Sequence, residues 1–294
     1  MPDVILWQIR MPRVLVGAMV GAALAVSGAV MQGLFRNPLA DPGLVGISAG
    51  ASLGAVTYLV IGAPLAALLP HALAIYGLPI SAAIGGLAAT LVLYRIATRE
   101  GRTSIATMLL AGIALAALVA AMTGLLIYMA DDRQLRDITF WSLGSLGGAN
   151  WEKAAAIAPF LLVPMIAVPL LADGLDGLLL GEATARHLGI GVETLKRVAI
   201  AAVAAYVGAA VAAAGPIAFV GIVVPHVLRL AIGPRHRGLL PASALLGAVL
   251  LLAADAVART VVAPAELPIG ILTALFGAPL FLWLLLKRRM LVDL

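Results

Sequence analysis

Cysteine is absent from the chain, which excludes disulfides, thiolate metal sites and cysteine nucleophiles. Charge is scarce. Asp, Glu, Lys and Arg make up 11% of the 294 residues, against about a quarter in an ordinary soluble domain. No stretch matches G-x-x-x-x-G-K-[ST] and no lysine follows a glycine, so no phosphate-binding loop for ATP is present. His, Asp and Cys do not cluster in the apolar runs, which argues against a membrane enzyme and leaves no metal site to predict. The apolar residues, by contrast, make up 63% of the chain, and the mean hydropathy is +1.11. The 31 Gly and 17 Pro are too many for simple soluble helices, but membrane helices tolerate them because neighbouring helices satisfy the broken backbone bonds. The composition predicts an all-α polytopic transmembrane bundle, one domain over residues 1–294.

Apolar runs long enough for a hydrocarbon core of roughly 30 Å lie at Val14–Leu34, Leu44–Ile61, Leu78–Tyr94, Met108–Met129, Ala154–Leu171, Val198–Ala213, Leu239–Val257 and Ile269–Leu286, with a shorter one at Ile217–Leu230. Alternating these nine spans puts 13 of the 19 Lys and Arg on one side. That side is cytoplasmic by the positive-inside rule. The C-terminus is then cytoplasmic and the N-terminus external, and Met1–Arg10 has no apolar core of signal-peptide length.

Gly17 and Gly21 stand four apart, as do Gly46, Gly50 and Gly54, while small residues crowd Gly208–Gly215. This spacing predicts close helix approach. Gly46-Ile47-Ser48-Ala49-Gly50 also matches G-x-S-x-G, yet a hydrolase needs that motif on a strand-to-helix elbow beside a histidine. Here it lies in an apolar helical run, and hydrolysis is not expected.

The connections carry most of the specificity. Asn37-Pro38 and Asp41-Pro42-Gly43 break the helix after the first span and force a compact cytoplasmic turn. An aromatic-rich external connection separates Met129 from Ala154. The longest cytoplasmic connection reads "LLLGEATARHLGIGVETLKR" and predicts two short helical pieces separated by Gly189 and Gly191.

The runs "RMPRVLVGAMVGAALAVSGAVMQGLFRNPLADPGLVGISAGASLGAV", "GEATARHLG", "FVGIVVPH" and "AELPIGILTALFGAPLFLWLL" closely resemble the permeases of ABC importers for iron chelates, haem and cobalamin. The resemblance runs from about Trp7 to Lys287 in family order. It implies a homodimer of permeases in the bacterial inner membrane, two cytoplasmic ATP-binding subunits, and a periplasmic binding protein that delivers one substrate molecule. No permanently bound cofactor and no nucleic acid are implied, and ATP is consumed by the partner ATPase. Family members usually have ten helices, the first preceding the segment at which this chain begins. A first helix is therefore expected to be missing, through a late start site, a truncation or a natural nine-span form.

The same resemblance implies site residues. Asn37 and Leu39, with Ser104, Ile105, Ala106 and Thr107, match the cytoplasmic gate; on its own chemistry Asn37 could equally cap its turn. Residues 172–197 match the coupling segment that fits a groove on the ATPase, with Glu182, Arg186 and Gly189 as contacts; the alternative is a solvated amphipathic loop. Arg10, Arg13 and Arg259 match positions that meet glutamates of the binding protein, a role suited to the planar guanidinium. Arg259 could instead pair with Asp255 four residues earlier, and Arg10 and Arg13 could snorkel to the interface.

"YMADDRQLRDITFWSLGSLGG" resembles the haem-importing branch most. Haem carries two propionates, so Arg136 first and Arg133 second are the cations expected to guide it at the external mouth. Local pairing with Asp131, Asp132 and Asp137 is the alternative. Ferric siderophores and cobalamin remain as other cargoes. An ion-coupled secondary transporter is the rival of another class, and Asp255 is its only intramembrane acid.

Overall fold

Within an apolar run that must satisfy its own backbone groups, the helix is the available solution, and helices dominate the computed structural model of the protein. It describes residues 2–38, 40–66, 70, 76–99 and 102–292. In chain order the helices are α1 (Met11–Phe35), α2 (Ile47–Thr57), α3 (Gly77–Ala97), α4 (Ile105–Met129), α5 (Asp132–Ser142), α6 (Trp151–Ala167), α7 (Ala172–Leu179), α8 (Glu182–His187), α9 (Val192–Ala214), α10 (Val220–Ile232), α11 (His236–Val261) and α12 (Ile269–Val292). Thr98–Arg99 and Arg102–Thr103 form a two-residue antiparallel pair between α3 and α4. Six helical stretches among the described residues are long and apolar enough to cross a membrane, and three shorter apolar helices, Ile47–Gly62, Val220–Ile232 and Ile269–Trp283, account for the other expected spans.

Two π-helical turns, Ile5–Arg10 leading into α1 and Tyr58–Gly62 extending α2, each end two residues before a proline, Pro12 and Pro64. The Met11 and Ala63 amides reach back five residues, to the carbonyls of Leu6 and Tyr58. Proline offers no N–H to continue the ordinary ladder, and the wider turn precedes it in both cases.

Helix α1 is central. From Val20 to Phe35 it is buried on every side, packed by α9, α10 and α11, as expected for a helix apolar all round. Glycines set the spacing. A Cβ on Gly21 would lie 2.3 Å from the Gly247 carbonyl oxygen of α11, and one on Gly28 would lie 1.7 Å from that of Gly221 on α10. Gly50 and Gly54 serve the α2–α3 crossing in the same way, against Gly85 and Ser81. Gly46 departs from this pattern. At φ +76° it is the turn residue that starts α2, and a Cβ there would meet α4 only at ordinary contact distance, 3.7 Å from Leu115. Ser48 follows it on regular helix, so the G-x-S-x-G match forms no strand-to-helix elbow.

The short span begins at Val220, not Ile217, because Gly215 at φ +73° ends α9 and residues 215–218 are irregular. Gly189 and Gly191 do separate two helices of the cytoplasmic connection, α8 and α9, but the second is the start of a long helix and not a short piece, and a further short helix, α7, parts from α8 at Leu180-Gly181.

Candidate functional site

The turn after α1 is built by a left-handed Arg36, φ 50°, whose amide bonds back to Gln32 and Gly33. The Asn37 amide bonds to the Gln32 carbonyl, and the Asn37 carbonyl accepts from Ala40. Asn37 itself is exposed. Asp41 caps the following short helix, Pro42–Val45, by accepting from the Gly43 amide at 2.7 Å. Burial pushes its carboxyl above the usual range, a shift that the Gly43 bond partly offsets. Leu39 lies outside the described residues. The second gate element starts α4, where the Ser104 hydroxyl caps the helix by accepting from the Thr107 amide at 3.3 Å and the Thr107 hydroxyl at 3.0 Å. Ile105 and Ala106 occupy the first turn of α4, and Ser104 and Thr107 are exposed.

The coupling residues lie beside an ion cluster. Lys196, only 6% exposed at its side chain, holds Glu182 at 2.8 Å and Glu193 at 3.3 Å. Arg186 reaches Glu182 at 3.5 Å and Glu193 at 3.8 Å, while the Tyr94 hydroxyl donates to Glu193 at 3.1 Å. Glu182 therefore fastens α8 to α9. The outward surface consists of Leu180, Ala183, Thr184, Arg186, His187, Leu188 and Gly189. Gly189 has φ +82°, and a Cβ there would meet nothing within 4 Å; its requirement is conformational.

The candidate coupling segment and the candidate gate turn are neighbours. A Cβ on Gly181 would sit 3.8 Å from the Arg36 guanidinium. One turn further into α1, a Cβ on Gly33 would meet the His236 ring at 2.4 Å. His236 is fully buried, and both its ring Nδ1 and its backbone amide contact the Asp176 carboxylate of α7, at 2.6 and 2.9 Å. Neither His236 nor Asp176 stands out in the sequence, since they are 60 positions apart and belong to no motif.

On the opposite face the three candidate docking arginines differ. Arg13 is 11% exposed and is spent on Asp255, at 2.8 Å, and Glu266, at 2.9 Å. Arg259 is 37% exposed and shares Asp255 at 3.2 Å. Arg10 is exposed and makes no ion pair among the described residues. Glu266 lies in the loop before α12, and the Arg13 hydrogen bond holds its carboxyl below the usual range.

Helix α5 is an element the sequence reading leaves out. The signal is legible in retrospect: Asp131 accepts from the Gln134 amide at 2.8 Å while the Gln134 side chain accepts from the Asp131 amide at 3.1 Å, a reciprocal cap. Gln134 also donates to the Val60 carbonyl at 3.1 Å, tying α5 to the end of α2. Arg133 and Arg136 are exposed, and among the described residues neither pairs with Asp131, Asp132 or Asp137.

A family profile described as the FecCD transport family matches residues 1–287. The chain is 50% identical over 282 residues to the hemin transport system permease protein HmuU of Yersinia pestis, covering 96% of this chain and 83% of that protein. It is 44% identical over 287 residues to the cobalamin import system permease protein BtuC of Halobacterium salinarum, covering 98% and 74%. A solved structure described as a metal-chelate type ABC transporter in an inward-facing conformation superposes with a TM-score of 0.87 at 35% identity, over 97% of this chain and 88% of that one.

Proposed function

The chain belongs to the FecCD transport family, and we propose that, as the permease of an ATP-driven importer, it moves haem from a periplasmic binding protein to the cytoplasm. It is a multi-pass membrane protein and a transport subunit; ATP hydrolysis resides on a separate chain. In the proposed assembly two copies meet in a bacterial inner membrane, each with one ATP-binding subunit below and a shared binding protein above. The observation that carries the cargo assignment is the pair of exposed guanidiniums of Arg136 and Arg133 on α5, which make no ion pair among the described residues, in a chain that is 50% identical to a hemin permease.

The physical roles follow from placement. A docked binding protein releases an anionic cargo beside α5, where a cation at a water-filled mouth steers and orients propionates. No axial ligand is required, and His71 lies outside the described residues. The path binds cargo weakly, because a high-affinity site would trap it. Residues 172–197 present the exposed surface of α8 to the ATPase, and its displacement is felt at the Arg36–Asn37 turn because Gly181 lies beside the Arg36 guanidinium. Arg10 and Arg259 offer the binding protein's carboxylates a guanidinium fork.

Cobalamin is the second cargo reading, favoured by the 44% identity to a cobalamin permease; a ferric siderophore is the third. An ion-coupled carrier fits less well, because Asp255 is already engaged by Arg13 and Arg259. The deciding experiment reconstitutes the permease with its ATPase and loaded binding protein in sealed vesicles, with ATP and no ion gradient. Haem should accumulate faster than a ferric siderophore or cobalamin. Preference for either of those overturns the haem assignment, and uptake that needs an ion gradient overturns the importer itself.

A further inference from the structure

A groove between α3 and α9 lies apart from the candidate gate and docking residues and meets the candidate coupling segment only at its last residue, Arg197. Two cavities of about 330 and 300 Å³ share Leu87 and Ala201 and so form one trough. Its α3 wall is the exposed stripe Ile80, Ile84, Leu87 and Leu91, positions that share one helical face, and the same face continues to Arg95. The α9 wall is Ala201, Ala204 and Ala205, whose small side chains leave the hollow, and the same face continues to Arg197, which lines the trough. Phe160 of α6 lines the other half. The one hydroxyl in the trough wall besides that of Tyr94, on Thr90, is consumed by the Gly86 carbonyl at 2.6 Å.

From Ile80 to Tyr94 the trough follows about 20 Å of helix, enough for one lipid chain, since each leaflet fills about half of a core of roughly 30 Å. Its polar end is cationic. Arg95 and Arg197 are exposed and, among the described residues, neither has an acidic partner. Glu193, one turn before Arg197 on α9, is held by Lys196 at 3.3 Å and by the Tyr94 hydroxyl at 3.1 Å. The positive-inside assignment sets this end at the cytoplasmic headgroup level.

We propose that this trough binds an anionic phospholipid of the cytoplasmic leaflet, with an acyl chain along α3 and α9 and the phosphate between Arg95 and Arg197. Any lipid can fill an apolar trough in a bilayer, so the selectivity resides in the headgroup. Each juxtamembrane cation contributes roughly fivefold in preference for an anionic lipid. The site depends on the topology alone and not on the cargo, so failure of haem uptake leaves it standing.

The test is native mass spectrometry of the purified permease titrated with phosphatidylglycerol and with phosphatidylcholine of identical chains. Wild type should retain phosphatidylglycerol roughly 25-fold better. Arg95→Ala with Arg197→Ala should reduce that to near parity, with phosphatidylcholine retention and the thermal midpoint unchanged. Ala204→Phe, which fills the trough, should lower retention of both lipids. Arg235→Ala removes an exposed cytoplasmic arginine outside the trough and should leave the preference intact. Equal retention of the two lipids by wild type, or a loss with Arg235→Ala as large as with Arg197→Ala, overturns the site.

Discussion

Arg13 and Asp255, 242 positions apart, hold each other through three hydrogen bonds of 2.8 to 3.1 Å at the external ends of α1 and α11. The Asp255 side chain is 4% exposed, so removing it takes from Arg259 its ion-pair partner and leaves Arg13 with Glu266 alone. Breaking a buried pair costs about 3 kcal/mol or more. Asp255→Ala should therefore lower the thermal unfolding midpoint of the purified permease clearly, while Asp255→Asn leaves ATP-driven uptake per folded complex in place. Abolished uptake in a well-folded Asp255→Asn complex would give the acid a transport role.

Arg10 is the clean probe of docking, because it is exposed and supports no internal pair. Arg10→Glu should place like charges across the interface and cut stimulation of ATPase activity by the loaded binding protein, with basal hydrolysis and the thermal midpoint kept. Arg13→Ala should do the reverse and act first on stability. If Arg10→Glu leaves stimulation unchanged, Arg10 does not touch the binding protein.

Glu266 adds an acid-sensitive contribution. Its carboxyl is held below its ordinary value by the Arg13 hydrogen bond, so the bond stabilises the fold fully above the unfolded-state value and is lost as pH falls through the depressed one. Thermal scans from pH 7 to pH 3 should show a steeper acid loss in wild type than in Glu266→Gln. Parallel curves would remove Glu266 from the linkage.

Gly189→Ala tests the turn between α8 and α9. With φ +82° and open space around the position, the cost is conformational, about 1–2 kcal/mol. The variant should fold with a modestly lower midpoint, and Gly189→Asn should recover part of it, since asparagine tolerates that region. Co-purification of the ATPase should weaken in step with the shift in the turn; unchanged co-purification and midpoint together would mean that the turn is not constrained as described.

Arg136→Ala should reduce haem uptake several-fold while complex assembly and basal ATP hydrolysis survive, because an exposed guanidinium contributes little to packing. Arg133→Ala should act less. Since neither arginine is paired with its neighbouring acids, the difference between them reports position along the mouth. Wild-type uptake by Arg136→Ala would remove it from the path.

The helices were legible because apolar length alone dictates them, and the glycine pairs at Gly21, Gly50 and Gly54 announced crossings that the backbone distances bear out. Element ends were less legible. Gly189, at φ +82°, does part α8 from α9 as its place in the connection suggests, but Gly181, at φ +102°, adds a second break, between α7 and α8, that the sequence did not single out. Among candidate site residues, types could be read, but commitments could not. Glu182 belongs to Lys196 and Arg13 to Asp255 because helices distant in sequence converge there. Glu266, Asp176 and His236 escaped notice for the same reason.

His236 sits where three helices meet, its ring against Gly33 of α1 and its Nδ1 and amide on Asp176 of α7, while its own backbone begins α11. No side chain at Gly33 intervenes to yield, and the close-packed interior around the ring has no slack. A push on the cytoplasmic helices is thus delivered to the end of the central helix with no spring in between, so the joint acts as a lever and cannot serve as a cushion.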